Sequence, residues 1–478
     1  MYKNDCIAGI ATGRETAGVG IVRLSGSNCF EVAAKVFTAA GGKAFAALEA
    51  RMMVYGKIDC GGFFDRGLCV KFYGPASYTG EDMAELHCHG GIEVMEGALR
   101  SCLAAGARMA ECGEFTRRAF LNGKLDLSSC EGVAGMISAR SSAEAAAAEK
   151  LLDGELFKQV SFCQQALTDV LSMVEAGLDY PEEDLPAADM SAARQKLLDA
   201  AGRLRRIADS YRTGSKLRDG LQVVLCGAAN AGKSSLFNRL LGEDRAIVTE
   251  VAGTTRDTLQ GEAEWQGVRV VLWDTAGLRE SGDRVEKLGI DRTLTAAARA
   301  DIVIAVREDG DDGEFERICR LAEGKPLIVL RSKADIHSHK AEAAVCAGKS
   351  AGAESTAETS AGAGNGAASV ESTASITDEL WVSAVTGEGL DRLRAAVLDA
   401  AGAGDIKSGL VLTNERHFDA VRRAGSVLDE ALRGFEIKTA DILAAELGEA
   451  WQILGEITGV TASEHIIDEI FSKFCLGK

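Results

Sequence analysis

The chain has 478 residues, 46% of them hydrophobic, and a formal net charge of −18. That length predicts about three domains, with ample apolar content for packed cores, and no apolar run approaches the ~18 residues of a membrane span. The acidic balance excludes a protein held on nucleic acid by bulk electrostatics, so any RNA contact must use a local basic surface.

Met1-Tyr2-Lys3-Asn4-Asp5 lacks the basic stretch and apolar segment of a signal peptide, and the 13 cysteines form no C-x-x-C pair. Both features predict a cytoplasmic protein with reduced thiols. Residues 1–122 mix strand and helix text: 19–24 and 67–72 read as strands and 91–103 as an amphipathic helix, which predicts an α+β domain. His87-Cys88-His89 offers adjacent strand residues that point to opposite faces, and no second ligand pair follows, so a metal is not expected there. From 123 to 219 the text turns to Ala, Leu, Glu, Lys and Arg at helical spacing, with Leu151, Leu152, Leu156, Val160 and Leu167 as an apolar stripe and Pro181 and Pro186 as punctuation. The best basic stretch is 194–218, with Arg203, Arg205, Arg206, Arg212, Lys216 and Arg218, although a solvated helix face gives the same pattern.

Residues 220–402 alternate apolar runs with helical text, except at 341–375. That segment of Ala, Gly, Ser, Thr and Glu has too few large apolar side chains to offset its ordering entropy and is predicted to be a disordered excursion. Helical text returns over 403–478, with Val421, Leu428, Leu432, Leu443, Leu447 and Leu454 as core candidates. Helices on both sides predict an α/β domain inserted into one all-α domain.

The chemistry is concentrated in that insertion. Residues 227–234, Gly-Ala-Ala-Asn-Ala-Gly-Lys-Ser, form a complete G-x-x-x-x-G-K-[ST] phosphate loop between the apolar run 221–226 and helix-like 235–241. Backbone N–H groups around Asn230, Ala231 and Gly232 can turn onto phosphate oxygens, Lys233 supplies a point charge, and Ser234 can hold Mg²⁺. The helix start, with Ser235, adds its own anion preference. Gly253-Thr254-Thr255-Arg256-Asp257 lies where a switch loop presents a second Mg²⁺ ligand, Thr255. The run 270–273 ends at Asp274-Thr275-Ala276-Gly277, where the carboxylate can reach the Mg²⁺ shell and Gly277 the γ-phosphate. Runs 301–306 and 327–330 follow; the second ends at Ser332-Lys333-Ala334-Asp335, and Ser383-Ala384 follows another short strand. Asp335 can accept two hydrogen bonds from a guanine edge, which adenine cannot supply, so the predicted nucleotide is GTP.

Three positions depart from the usual GTPase pattern. Ser332 stands where an Asn usually braces the phosphate loop, which predicts a loss of about 1 kcal/mol. Ala229 replaces a frequent Pro, worth roughly 0.4–1 kcal/mol of loop rigidity. Leu278 occupies the place of the water-orienting Gln of Ras-type enzymes. Either hydrolysis is vestigial or another residue and another charge take over. The Asn230 side chain, with carbonyls of Thr249, Glu250, Val251, Ala252, Gly253 and Thr254, can form a cage for a monovalent cation. Glu286 is one acid able to activate water, although its surroundings read first as a solvated helix.

The closing Phe474-Cys475-Leu476-Gly477-Lys478 resembles the C-x-G-K terminus of the MnmE (TrmE) family of tRNA modification GTPases. Residues 18–26, 78–82, 89–91, 113–124 and 252–257 are similar to that family as well, and the resemblance spans the chain except 341–375. It implies a partnership with the flavoprotein MnmG to install a carboxymethylaminomethyl-type group at carbon 5 of the wobble uridine of certain tRNAs. It also implies an N-terminal domain that binds formyl- or methylene-tetrahydrofolate as one-carbon source and forms a homodimer. The matching folate positions are Arg23, Glu85, Lys124 and Lys478; alone, Arg23 and Glu85 read as strand-edge charges. The matching K⁺ positions are Asn230, Thr249, Val251 and Thr254, the cation standing where an arginine finger would otherwise act. Glu286 matches the family's catalytic acid. Cys475, with Lys478 close by, is a candidate reactive thiol, and small apolar filler is the other reading. The rivals are an Era-type ribosome-assembly GTPase switch, which would need a basic RNA-binding module, and a stand-alone folate-dependent one-carbon transferase.

Overall fold

The computed structural model describes residues 5–179, 187–228, 231–242, 259–274, 297–307, 312–335, 379–402, 410–474 and 477. Two compact units emerge: Met1–Ser138, Ala148–Ala208 and Arg416–Lys478 form the first, Ala139–Ala147 and Asp209–Glu415 the second.

The first unit opens with a seven-stranded sheet in the order β3-β4-β5-β6-β2-β1-β7. Its strands are β1 (Ile7–Ile10), β2 (Ala17–Ser25), β3 (Phe37–Ala39), β4 (Val54–Asp59), β5 (Phe64–Phe72), β6 (Met83–Gly90) and β7 (Arg108–Met109). All neighbours are antiparallel except β1 and β7. Alternation buries Val22, Leu24, Ala84 and Leu86 against the helices Cys29–Val36 and Ile92–Ala104, which supply Val32, Val36, Met95 and Leu99 to the same core. This is the α+β arrangement of an antiparallel sheet with helices on one face.

The rest of this unit is helical. Glu155–Asp179 lies along Ala440–Thr458, and each turns an apolar stripe inward: Leu156, Val160, Leu167 and Val170 from one, Leu443, Leu447, Leu454 and Ile457 from the other. Leu151 joins the buried set, while Leu152 is only half-buried. A third cluster, Leu127, Cys130, Ile470, Phe471 and Phe474 with Phe120 against it, packs helical text from both ends of the chain beside the sheet region. That shared core joins the sheet region and the helices in one compact unit. Glu131 is also central here. It accepts from Arg416 and from His417 Nε2 at 2.5 Å, and His417 is fully buried.

The second unit has a six-stranded sheet in the order β13-β12-β11-β8-β10-β9. The strands are β8 (Leu221–Gly227), β9 (Leu259–Trp265), β10 (Val268–Asp274), β11 (Ile302–Arg307), β12 (Leu327–Arg331) and β13 (Leu380–Trp381). All pairings are parallel except β9 with β10. Both faces are covered: Val223 and Leu225 face a core with Leu236, Leu240, Leu393 and Val397, whereas Val224 and Cys226 face Ile318 and Ala322. Burial on both sides explains why these strands read as continuous apolar runs.

Candidate functional site

β8 sits at the centre of the second sheet with β10 on one side and β11 on the other, so the loop after it opens at the point where strand order reverses. Its last residue, Gly227, has φ +153°, and a Cβ there would lie 2.2 Å from the Val306 carbonyl oxygen. Only glycine permits that turn beside β11. The loop feeds the helix Lys233–Gly242, whose first turn holds Lys233, Ser234 and Ser235. Lys233 is buried, and its Nζ donates to the carbonyls of Gly227 (2.9 Å) and Ala228 (2.5 Å). The ammonium is therefore held over the loop. Ser234 Oγ donates to Asp274 Oδ2 at 2.9 Å, the carboxylate being the last residue of β10 and 1% exposed. Two hard oxygen donors on adjacent elements fit Mg²⁺ chemistry.

The base-reading end is assembled from β12 and β13. Lys333 takes φ +63°, and Ala334 N–H donates to Val382 O at 3.1 Å. Ser383, fully buried, donates from Oγ to Asp335 Oδ1 at 2.7 Å and accepts from the N–H groups of Val385 and Thr386. Ala384 lies between them, half-buried. Asp335 is thus oriented by a hydroxyl whose own geometry is fixed by backbone. Ser332 Oγ donates to the Ala231 carbonyl at 2.7 Å. A hydroxyl therefore makes the brace that the missing Asn was expected to leave weak. Among the expected residues, Asn230, Thr249, Glu250, Val251, Ala252, Gly253, Thr254, Thr255, Thr275, Ala276, Gly277 and Glu286 lie outside the described residues, as do Cys475 and Lys478.

A second polar cluster lies in the first unit. Arg23 on β2 and Glu85 on β6 are cross-strand neighbours, joined from Nε to Oε1 at 2.9 Å. The Arg23 guanidinium stands 5.4 Å from the Tyr78 ring centre and 5.7 Å from that of Phe115. His87 Nε2 lies 3.3 Å from the other carboxylate oxygen. Burial raises the Glu85 pKa, but the His87 hydrogen bond and the Arg23 charge outweigh it and hold the group below its ordinary range. Lys124 is not in this cluster; its Nζ donates to Pro75 O at 3.1 Å, in the segment that leads to Tyr78. Gly477 does come close. Its Cα lies 3.3 Å from where a Cβ on Gly9 would be, as does the Phe115 ring, and Gly9 pairs with Arg23 across β1 and β2. The sequence reading missed Tyr78, Phe115 and His87, whose only signal was their position in or beside the family-like stretches.

The phosphate loop on a central strand, the Ser234–Asp274 pair and the oriented Asp335 define a P-loop nucleotide-binding domain of the GTPase type. The wider comparison narrows this. A family model described as the MnmE helical domain matches residues 127–475, and one described as the GTP-binding protein TrmE N-terminus matches residues 6–124. The tRNA modification GTPase MnmE of Symbiobacterium thermophilum is 39% identical over 482 residues, covering 99% of each chain. Those of Clostridioides difficile and Nitrosomonas europaea are 34% and 38% identical over 485 and 484 residues, covering 100% of each chain. The chain belongs to the MnmE family.

Proposed function

We propose that this chain is a GTP hydrolase acting in tRNA modification. The observation that carries the reading is the site geometry: a buried Lys233 over the loop carbonyls, Ser234 on Asp274, and Asp335 held by Ser383. The end-to-end similarity to proteins named tRNA modification GTPases supports the second half. An Era-type switch is not favoured, because its resemblance would stop at the nucleotide domain.

The finer reading follows from residue chemistry and the family. Lys233 and the loop N–H groups bind the phosphates, while Ser234 and Thr255 hold Mg²⁺ with Asp274 nearby. Asn230 and the Thr249, Val251 and Thr254 positions would hold K⁺, which would supply the transition-state charge that an arginine finger contributes elsewhere, worth roughly 10³–10⁵ in rate. Glu286 orients the attacking water, the task of the Gln that Leu278 replaces. In the first unit, Glu85, held by Arg23, would present a carboxylate to the guanine-like edge of a tetrahydrofolate, and Lys124 and Lys478 would meet its acidic tail. Gly477 lies against β1, the strand that pairs with Arg23. The reaction is carboxymethylaminomethyl-type modification of wobble uridine, carried out in the cytoplasm with MnmG. A homodimer through the first unit is supported by the outer face of its sheet, where Val19, Tyr55 and Phe64 are 56%, 49% and 69% exposed. GTP turnover measured in KCl and in NaCl tests the cation-assisted mechanism; it is faster in KCl, and equal rates would refute it.

A further inference from the structure

The helix Ser142–Leu152 begins with a cap of its own making. Glu144 N–H donates to Ser141 Oγ at 3.3 Å, and Glu144 Oε2 accepts from Arg140 N–H at 2.8 Å. The other first-turn N–H groups have no partner within a helix. Here the β9–β10 hairpin satisfies them. Ala143 N–H donates to Gly267 O at 2.9 Å, and Glu264 Oε1 accepts from Ser142 Oγ at 2.9 Å and from Ser142 N–H at 3.4 Å. The hairpin tip is a left-handed pair, Gln266 at φ +49° and Gly267 at φ +92°, which aims the Gly267 carbonyl at the helix. Arg269 donates from Nε and Nη2 to the two oxygens of Glu262, at 3.1 Å each, and lies 4.0 Å from Glu144 Oε1. Glu144 Oε1 is buried and makes no hydrogen bond among the described residues. The join is therefore made of a few directional polar contacts, with the carboxylates of Glu262 and Glu144 beside one guanidinium.

The opposite end of the hairpin is the nucleotide site. β10 ends at Asp274 against Ser234, and β9 begins at Leu259, directly after the segment that carries Thr255. Strands of seven residues span ~23 Å. Past residue 147 the helix runs on to Leu152, and Ser129 Oγ donates to Leu151 O at 3.2 Å. We propose that the β9–β10 hairpin is a latch through which the state of the nucleotide site sets the helix Ser142–Leu152, with Glu264 and Arg269 as positioning residues. A paired ladder moves as one piece, and an ångström of travel at its tip breaks hydrogen bonds of 2.9 Å.

The inference rests on the GTPase reading, and hydrogen exchange in the full chain separates the two. Amide exchange over 142–152 is compared with GDP bound and with a non-hydrolysable GTP analogue bound. The latch predicts a difference of about fivefold, the equivalent of about 1 kcal/mol of helix cap. In Glu264→Ala that difference disappears while kcat for GTP stays within about twofold of wild type. Glu264→Gln, which keeps an acceptor oxygen, retains it. Should Glu264→Ala not fold, Ser142→Ala removes one of the donors to Glu264 and carries the same expectation. Identical exchange in the two states, with both nucleotides bound, overturns the latch and leaves the GTPase reading standing. Persistence of the difference in Glu264→Ala overturns the role of Glu264. Failure to bind either nucleotide overturns both readings.

Discussion

Replacing Ser332 by Ala removes one hydroxyl, and the structure sets what that should cost. Ser332 Oγ donates to the Ala231 carbonyl at 2.7 Å, and Ala231 is fully buried in the phosphate loop. A buried acceptor deprived of its donor costs about 1–3 kcal/mol. The loop can relax toward water, so the lower end applies, and about 1–1.4 kcal/mol corresponds to a roughly 5- to 10-fold rise in Kd. Because the brace acts on a loop segment shared by both nucleotides, GDP and GTP should weaken together, with kcat nearly unchanged, as expected for loss of uniform binding. Titration with a fluorescent guanine nucleotide measures Kd, and single-turnover hydrolysis measures the chemical step. Ser332→Asn, which restores the usual side chain, should bind at least as tightly as wild type. A Ser332→Ala Kd within twofold of wild type would refute the idea that this hydroxyl organises the loop.

Lys233→Ala should abolish tight GTP binding, whereas Glu286→Ala should bind nearly normally and turn over slowly, since one charge acts in the ground state and the other group in the transition state; a Glu286 variant with wild-type turnover removes that residue from the mechanism. Burial pushes the Glu131 carboxyl up, but His417 and Arg416 outweigh it and take it from 4.5 to about 2. With the folded value below the unfolded one, this group stabilises fully above about pH 4.5 and progressively less toward about pH 2, by about 3 kcal/mol in all. The stability gap between wild type and Glu131→Gln, read by urea melts, should therefore shrink on acidification, and a gap constant from pH 6 to pH 3 would contradict it. Cys475→Ser should hydrolyse GTP normally yet fail to support tRNA modification with the proposed flavoprotein partner; wild-type modification would make the thiol structural.

Legibility followed locality. The runs at 221–226, 270–273, 301–306 and 327–330 became β8, β10, β11 and β12 because parallel strands buried on both faces need little else. All six core candidates from 421 to 454 are buried, since a helix stripe is written in the spacing of its own residues. β9 escaped notice: it reads Leu-Gln-Gly-Glu-Ala-Glu-Trp, and an edge strand with acids on one face carries no apolar run. The phosphate loop was legible because one contiguous segment builds it. Arg23 was opaque for the opposite reason, its neighbours Tyr78, Glu85 and Phe115 coming from three separate segments. Nothing in the helical text at 139–147 signalled that it belongs with the second unit, because the hydrogen bonds that tie it there come from residues 264 and 267.

The central claim is that GTP hydrolysis at Lys233 serves tRNA modification. The most direct test is the wobble-uridine content of tRNA from cells lacking this chain, complemented with wild type or with Lys233→Ala. The account predicts loss of the carboxymethylaminomethyl-type nucleoside in the deletion, recovery with wild type, and no recovery with Lys233→Ala. Unchanged modification in the deletion strain would contradict it.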